Sequence, residues 1–476
     1  MVNKRDIALN AAVEAKHRTF YPFFIAFVAA IGGFLFGYDL VIISGAQIFL
    51  REQFHLSDAQ FGFTTTSAII GCIAGPFLGS WLCDRFGRKK TLIFSAILFS
   101  VNAIVTAIAT DMVTFNIFRI IGGLGVGLCS IASPMYIVEV APARIRGGLG
   151  IMYQLAIATG ATASSIVAYL LANNLPDTVS WRWMFASEML PILMFLAFLL
   201  TVPESPRWLS EKGRFDEAFD VLIKADGREH ADKEMTEIKA SLQEESGTFK
   251  ELWQPGIRFA LFIGISLGLL NNWTGGSAIG YYLPTLFQKG GFPEAANAIK
   301  QTIIVGCWEA VLTLGAIFLV DRFGRRRLWI GGSAAMIGAL FFTGLVFMFN
   351  MSGVIVLLGI FVCYMPHALS LGPLPWLMMS EIYPTRIRAK AVAVTTTVLW
   401  IAGWSAPMIF PILMGFFERT TGSAGPAFWF FAVICVISII FGLKFLPETK
   451  GRTLEEIGKS WQREKEPTNE KEEVQL

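Results

Sequence analysis

Apolar residues run along this chain in long blocks separated by short polar stretches, as in FAVICVISIIFGLKFL and FALFIGISLGLL. Many blocks reach the roughly 20 residues that a helix needs to cross a bilayer. They do not alternate polar with apolar positions as barrel strands would, and lipid admits only helices or closed barrels because unpaired backbone groups are costly there. The pattern predicts an all-α membrane protein with twelve transmembrane helices. They lie near residues 20–44, 60–83, 91–110, 113–137, 147–172, 182–202, 257–287, 297–320, 328–349, 352–379, 390–415 and 424–446. One block is unusual. Residues 270–282, LNNWTGGSAIGYY, place two adjacent amides, a Trp and three glycines between apolar flanks.

Composition agrees with the pattern. Hydrophobic residues make up 54% and charged residues 16%, where a soluble domain has about a quarter charged. The first residues, MVNKRDIALNAAVEAKHR, are polar and no cleavable site follows an apolar core, so no secretory signal is expected. Lys and Arg set orientation. The loops after spans 2, 4, 8 and 10 carry thirteen of them and the opposite loops five, which places both termini and the 203–256 loop in the cytoplasm. The net charge of +3 is then topology and implies no nucleic-acid partner. The six cysteines (72, 83, 129, 307, 363 and 435) show no disulfide framework or metal spacing and read as small buried apolar residues.

The chain repeats itself. DRFGRKK starts at Asp84 and DRFGRRR at Asp321, 237 residues on; EVAPARIR and EIYPTRIR recur at 242, and PESPRW and PETKGR at 244. Three motifs in one order at nearly the same offset predict two six-helix halves in parallel repeat, 20–202 and 257–446. A cytoplasmic segment 1–19 precedes them, a linker 203–256 of short amphipathic helices joins them, and a cytoplasmic tail 447–476 follows.

GGFLFGYDLVIISGA, the paired DRFGR turns, SPMYIVEVAPARIRG, WRWMFASE, PESPRWL, GPLPW and PETKGRTLEEI together resemble the sugar porter family of the major facilitator superfamily, across almost the whole chain. The first half is similar to bacterial proton-coupled pentose and hexose symporters. The resemblance implies the major facilitator fold in a plasma membrane, a protein functional as a monomer, and alternating access, in which two rigid halves rock about a central site. It also implies a cytoplasmic gate of charge networks built from Asp84, Arg88, Glu139 and Arg146, and from Asp321, Arg325, Glu381 and Arg388.

Asp39, Arg119, Glu188 and Glu309 sit inside apolar spans, where each is expensive and must find a partner. Asp39 and Arg119 match the proton-coupling pair of the family's symporters, and Glu188 matches an acidic position near the same Arg; facilitative members carry an amide in place of Asp39. The other reading is a static buried ion pair. Glu309 stands where sugar porters carry a substrate-facing Asn, and it reads either as a functional carboxylate or as a solvated one. His367 reads as a structural imidazole or a pH sensor.

Sugar recognition needs amides that both donate and accept and aromatic faces for the ring's C–H surface. By resemblance the substrate set is Phe36, Gln154, Asn271, Asn272, Ser277, Tyr281, Glu309, Trp376 and Trp400. Asn271 and Asn272 replace the family's Gln pair and Ser277 its Asn, while Ala161 and Leu399 replace further amides; these changes imply a wider, less polar pocket with an added negative charge. The amides read alternatively as glue between helices. Gly275, Gly276 and Gly280 predict a break in this span. GGLGVG at 122–127 lies within a span and reads as a close helix contact.

No nucleotide loop, metal cluster or nucleophile–base set is present in the sequence, so neither a cofactor, a bound metal nor an enzyme activity is expected. The expectation is proton-coupled symport of a monosaccharide or polyol. The alternatives are a facilitative carrier, the same scaffold carrying a non-sugar solute such as an organic cation, and a non-transporting sensor.

Overall fold

The structure, a computed structural model, describes residues 4–142, 145–243, 248–384 and 386–448. The first six spans are α1 (Lys4–Gln53), α2 (Asp58–Phe86), α3 (Arg88–Ile108), α4 (Met112–Val140), α5 (Arg146–Asn174), and the pair α6 (Asp177–Ala186) and α7 (Met189–Thr201). The linker folds as α8 (Pro206–Glu211), α9 (Phe215–Asp226) and α10 (Arg228–Gln243), then a 3-10 turn at Phe249–Trp253. The seventh span is in three pieces, α11 (Ile257–Trp273), α12 (Gly276–Tyr281) and α13 (Leu283–Lys289). Then come α14 (Ala295–Phe323), α15 (Arg325–Met348), α16 (Val354–Pro366), a π-helical turn His367–Leu371, α17 (Pro373–Glu381), α18 (Arg388–Thr421) and α19 (Gly425–Lys444). The described residues contain no strand.

Among the described residues eleven segments are long and apolar enough to cross a membrane unaided, with mean hydropathy from 1.5 to 2.4. The twelfth is the broken seventh span. Gly275 makes that break, with φ of +99°, a conformation open to glycine at little cost. Two boundaries need correction. The first span runs to Gln53 instead of ending at 44, because Gln47, Phe49 and Leu50 are buried and continue the helix. The sixth starts at Asp177 instead of 182, and its buried Trp181 donates from Nε1 to Gln53 Oε1 at 2.7 Å.

Packing divides the chain into two compact units: Met1–Glu244 with Tyr281–Gly306 and Pro407–Ile412, and Glu245–Gly280 with Cys307–Ala406 and Leu413–Leu476. In the first, small residues bring α2 and α4 into backbone contact, and a Cβ on Gly123 would strike the Ala68 carbonyl. This is the work expected of GGLGVG. The linker helices bury their own apolar faces through Trp208, Leu209, Ala218, Val221, Leu222, Ala231 and Met235. In the second, Ser333 and Ser438 share a hydrogen bond of 2.9 Å between α15 and α19. Five cysteines are buried as expected; Cys307, on α14, is exposed.

Candidate functional site

The first unit gathers the three intramembrane charges of its half into one cluster. Asp39, Arg119 and Glu188 are each 0% exposed. Arg119 Nη1 donates to Asp39 Oδ1 at 2.6 Å and Nη2 to the Asp39 backbone carbonyl at 3.0 Å, while the guanidinium lies over the Phe185 ring, 5.3 Å from its centre. Glu188 occupies the interruption between α6 and α7, within electrostatic reach of both partners. No donor reaches Asp39 Oδ2 or either Glu188 oxygen among the described residues, and the two carboxyls lie within hydrogen-bonding reach of each other. A fourth member was not foreseen. Asn102 on α3 donates from Nδ2 to Asp39 Oδ1 at 2.8 Å. The signal for it was a lone amide in the apolar run FSVNAIV.

At its DRFGR turn each unit carries the same network. In the first, Arg88 Nη2 pairs with Glu139 at 2.7 Å, and Glu139 also accepts from Ser205 Oγ. In the second, Arg325 pairs with Glu381 at 2.9 Å. Both networks turn on a glycine with positive φ, Gly87 at +99° and Gly324 at +80°. A carboxylate then fills the space against it. Glu204 Oε1 accepts from the backbone N–H of Arg88 and Lys89 at 2.9 and 3.1 Å, and Glu448 accepts from those of Arg325 and Arg326 at 2.9 and 3.2 Å. Such acceptors satisfy free N–H groups at a helix start and complement its dipole.

Glu204 and Glu448 were not picked as gate residues, although both stand in the repeated PES/PET motif. Burial pushes the Glu211 carboxyl above the usual carboxylate range, and Arg88 at 3.8 Å draws it partly back. Asp84 is exposed; its backbone carbonyl accepts from Trp208 Nε1 at 3.0 Å, and its carboxylate forms no ion pair among the described residues. Arg388 Nε donates to the Tyr383 carbonyl at 3.2 Å. The side chains of Arg146 and Asp321 lie outside the described residues.

The expected substrate residues divide between the units. Phe36 is half-buried and Gln154 exposed in the first. Tyr281 also packs there, its carbonyl accepting from Gln47 Nε2 at 2.9 Å. The second holds the rest. Asn271 Nδ2 donates to the carbonyls of Leu371 and Gly372 at 2.8 and 3.2 Å, and Asn272 Nδ2 to that of Leu399 at 3.1 Å. The amides therefore tie the seventh span to the tenth and eleventh through their nitrogens, leaving the oxygens as what they can offer a ligand. Ser277 is half-buried on α12, Trp400 is buried, and Trp376 is exposed. Glu309 is half-buried on α14, with no ion pair among the described residues. The His367 ring packs against Gly276, at the seventh-span break, from the start of the π-helical turn.

Comparison with known proteins gives a consistent picture. Residues 25–461 match the family model described as sugar (and other) transporter. The chain is 39% identical over 460 residues to the arabinose-proton symporter of Bacillus subtilis (strain 168), covering 95% of this chain and 97% of that one. It is 36% identical over 493 residues to the D-xylose-proton symporter of Escherichia coli (strain K12), covering 96% and 99%. The solved inward open conformation of the xylose transporter XylE from E. coli superimposes with a TM-score of 0.81 at 36% identity, covering 93% of this chain and 100% of that one.

Proposed function

The chain belongs to the sugar transporter family of the major facilitator superfamily, and we propose that it is a secondary active transporter, a proton-coupled symporter of a monosaccharide or polyol working by alternating access. The buried cluster of Asp39, Arg119 and Glu188 is the observation that carries this reading. Two carboxyl groups face one guanidinium with no exposure to water, so the cluster keeps an uncompensated negative charge until it binds a proton. Unpaired charge is costly in such surroundings. Proton binding at Asp39 weakens its hold on Arg119 and biases the helices toward one state, and coupling follows when sugar favours the same state.

The residues put forward for the solute are Phe36, Gln154, Asn271, Asn272, Ser277, Tyr281, Glu309, Trp376 and Trp400. The relatives named for arabinose and xylose favour a pentose as the first substrate to test. The paired Arg88–Glu139 and Arg325–Glu381 networks, with Glu204 and Glu448, serve as cytoplasmic locks in their own halves. The protein transports its solute without transforming it, sits in the plasma membrane with both termini in the cytoplasm, and functions as a monomer.

Purified protein in sealed liposomes tests the reading. Under an inward proton gradient the sugar should accumulate above its external concentration, and a protonophore should collapse the accumulation. Equilibration alone, with or without the gradient, would replace symport by facilitated passage.

A further inference from the structure

Asn102 is the one member of the buried cluster to which the proposed coupling assigns no part. It is 0% exposed on α3, and its Nδ2 reaches Asp39 Oδ1 at 2.8 Å, the oxygen that Arg119 Nη1 also holds at 2.6 Å. A guanidinium facing a carboxylate usually forms two parallel bonds, one to each oxygen. Here the second Arg119 nitrogen goes to the backbone carbonyl of Asp39 instead. Two donors therefore converge on Oδ1 and none reaches Oδ2 or either oxygen of Glu188 among the described residues, while the Asp39 and Glu188 carboxyls lie within hydrogen-bonding reach of each other.

The site is built around this amide. Gly122 lies one turn beyond Arg119 on α4, and a Cβ there would collide with the Asn102 side chain. Burying an amide in an apolar helix face is unfavourable unless its polar atoms are used. The use visible here is the Nδ2 bond to Asp39, while Oδ1 makes no hydrogen bond among the described residues.

We infer that Asn102 is a positioning residue for proton coupling: it fixes Oδ1 of Asp39 as the ion-paired oxygen and so presents Oδ2 as the atom that takes the transported proton. This rests on Asp39 being the coupling carboxylate. The amide does not titrate, so its bond survives both forms of Asp39, accepted by a carboxylate oxygen in one and by the carbonyl oxygen of the neutral acid in the other. The Arg119 bond loses its ionic part on protonation. Without Asn102, the carboxylate is free to rotate into a two-oxygen pair with Arg119, which covers Oδ2 and opposes protonation. The other titratable groups that act on Asp39 are Glu188 from the α6–α7 break, Cys72 on α2 and Tyr281 on α12.

Two nearly isosteric variants separate this role from packing. Asn102→Leu removes the donor, and Asn102→Asp replaces it with a second carboxyl beside Asp39. Sugar uptake into liposomes is measured against external pH for each, with sugar exchange at one fixed pH as the control for intact folding. The midpoint of gradient-driven uptake should move to lower pH by roughly one unit in Asn102→Leu, and to higher pH by a similar amount in Asn102→Asp. Asn102→Ser, which keeps a donor, should lie between wild type and Asn102→Leu, and it replaces Asn102→Leu if that variant fails to exchange sugar. Exchange-competent variants whose midpoints stay at the wild-type value, or move in the same direction, overturn the inference. Asp39→Asn is run alongside. Gradient-driven accumulation persisting in that variant defeats the coupling assignment itself, whereas its loss together with unmoved Asn102 midpoints defeats the role of Asn102 alone.

Discussion

Asn271 donates from Nδ2 to the carbonyl of Leu371 at 2.8 Å, and the helical partner that this carbonyl would otherwise have is Pro375, which carries no N–H. The amide therefore repairs a gap that proline opens in the tenth span, beside the π-helical turn His367–Leu371. Its neighbour Asn272 reaches the eleventh span in the same manner. The two amides join the broken seventh span to its neighbours at the level of the break, which places any solute they touch against helices able to respond to it.

Replacing Asn271 by Leu should leave the Leu371 carbonyl unsatisfied and lower stability by about 1–3 kcal/mol. Thermal unfolding of the purified protein measures it. A Leu variant that melts like the wild type, yet loses all stabilisation by sugar, would make the amide a ligand only.

Gly87 and Gly324 hold equivalent places, and each has a carboxylate against its Cα, from Glu204 and Glu448 respectively. Alanine at position 87 meets two penalties, a positive φ and collision with that carboxylate. Gly87→Ala is expected to cost roughly 1–3 kcal/mol, and Gly324→Ala should behave alike. Melting curves of the two variants decide it, and wild-type melting in either would remove the proposed lock from that half.

Glu309 offers a contrast between substrates. It forms no ion pair among the described residues and stands half-buried on α14. If the solute is a neutral sugar, Glu309→Asn should change its apparent affinity by less than about tenfold, 1.4 kcal/mol. Thermal stabilisation by pentoses, hexoses, polyols and small organic cations reads this out. Stabilisation by a cation alone, abolished in Glu309→Asn, would mean a different cargo on the same scaffold.

Much of the fold could be read before the structure because hydropathy is a one-dimensional signal, and blocks of apolar residues leave little freedom about what crosses the bilayer. The seventh-span break was visible in Gly275 and Gly276. The sixth-span break at Ser187–Glu188 was missed, although Pro191 removes the N–H that the Ser187 carbonyl would have accepted. That Asp39 and Arg119 each need a partner followed from the expense of a buried charge, and that they pair with each other came from the family resemblance. The bond from Asn102 to the same carboxylate followed from neither, since a lone amide in an apolar helix does not reveal a partner 63 residues away. Glu139 was expected at the gate, and its ion-pair partner among the described residues, Arg88, comes from a different repeated motif. Sequence spacing shows which motifs recur and is silent on which of them meet.

In the proposed mechanism Asp39 carries the coupled proton. Asp39→Asn keeps the size of the side chain and an acceptor for Arg119 while removing the group that titrates. Sugar uptake into liposomes, measured in this variant with and without an inward proton gradient and beside counterflow exchange, tests the claim most directly. Exchange should persist while gradient-driven accumulation disappears. Accumulation in Asp39→Asn at the wild-type level would contradict the account.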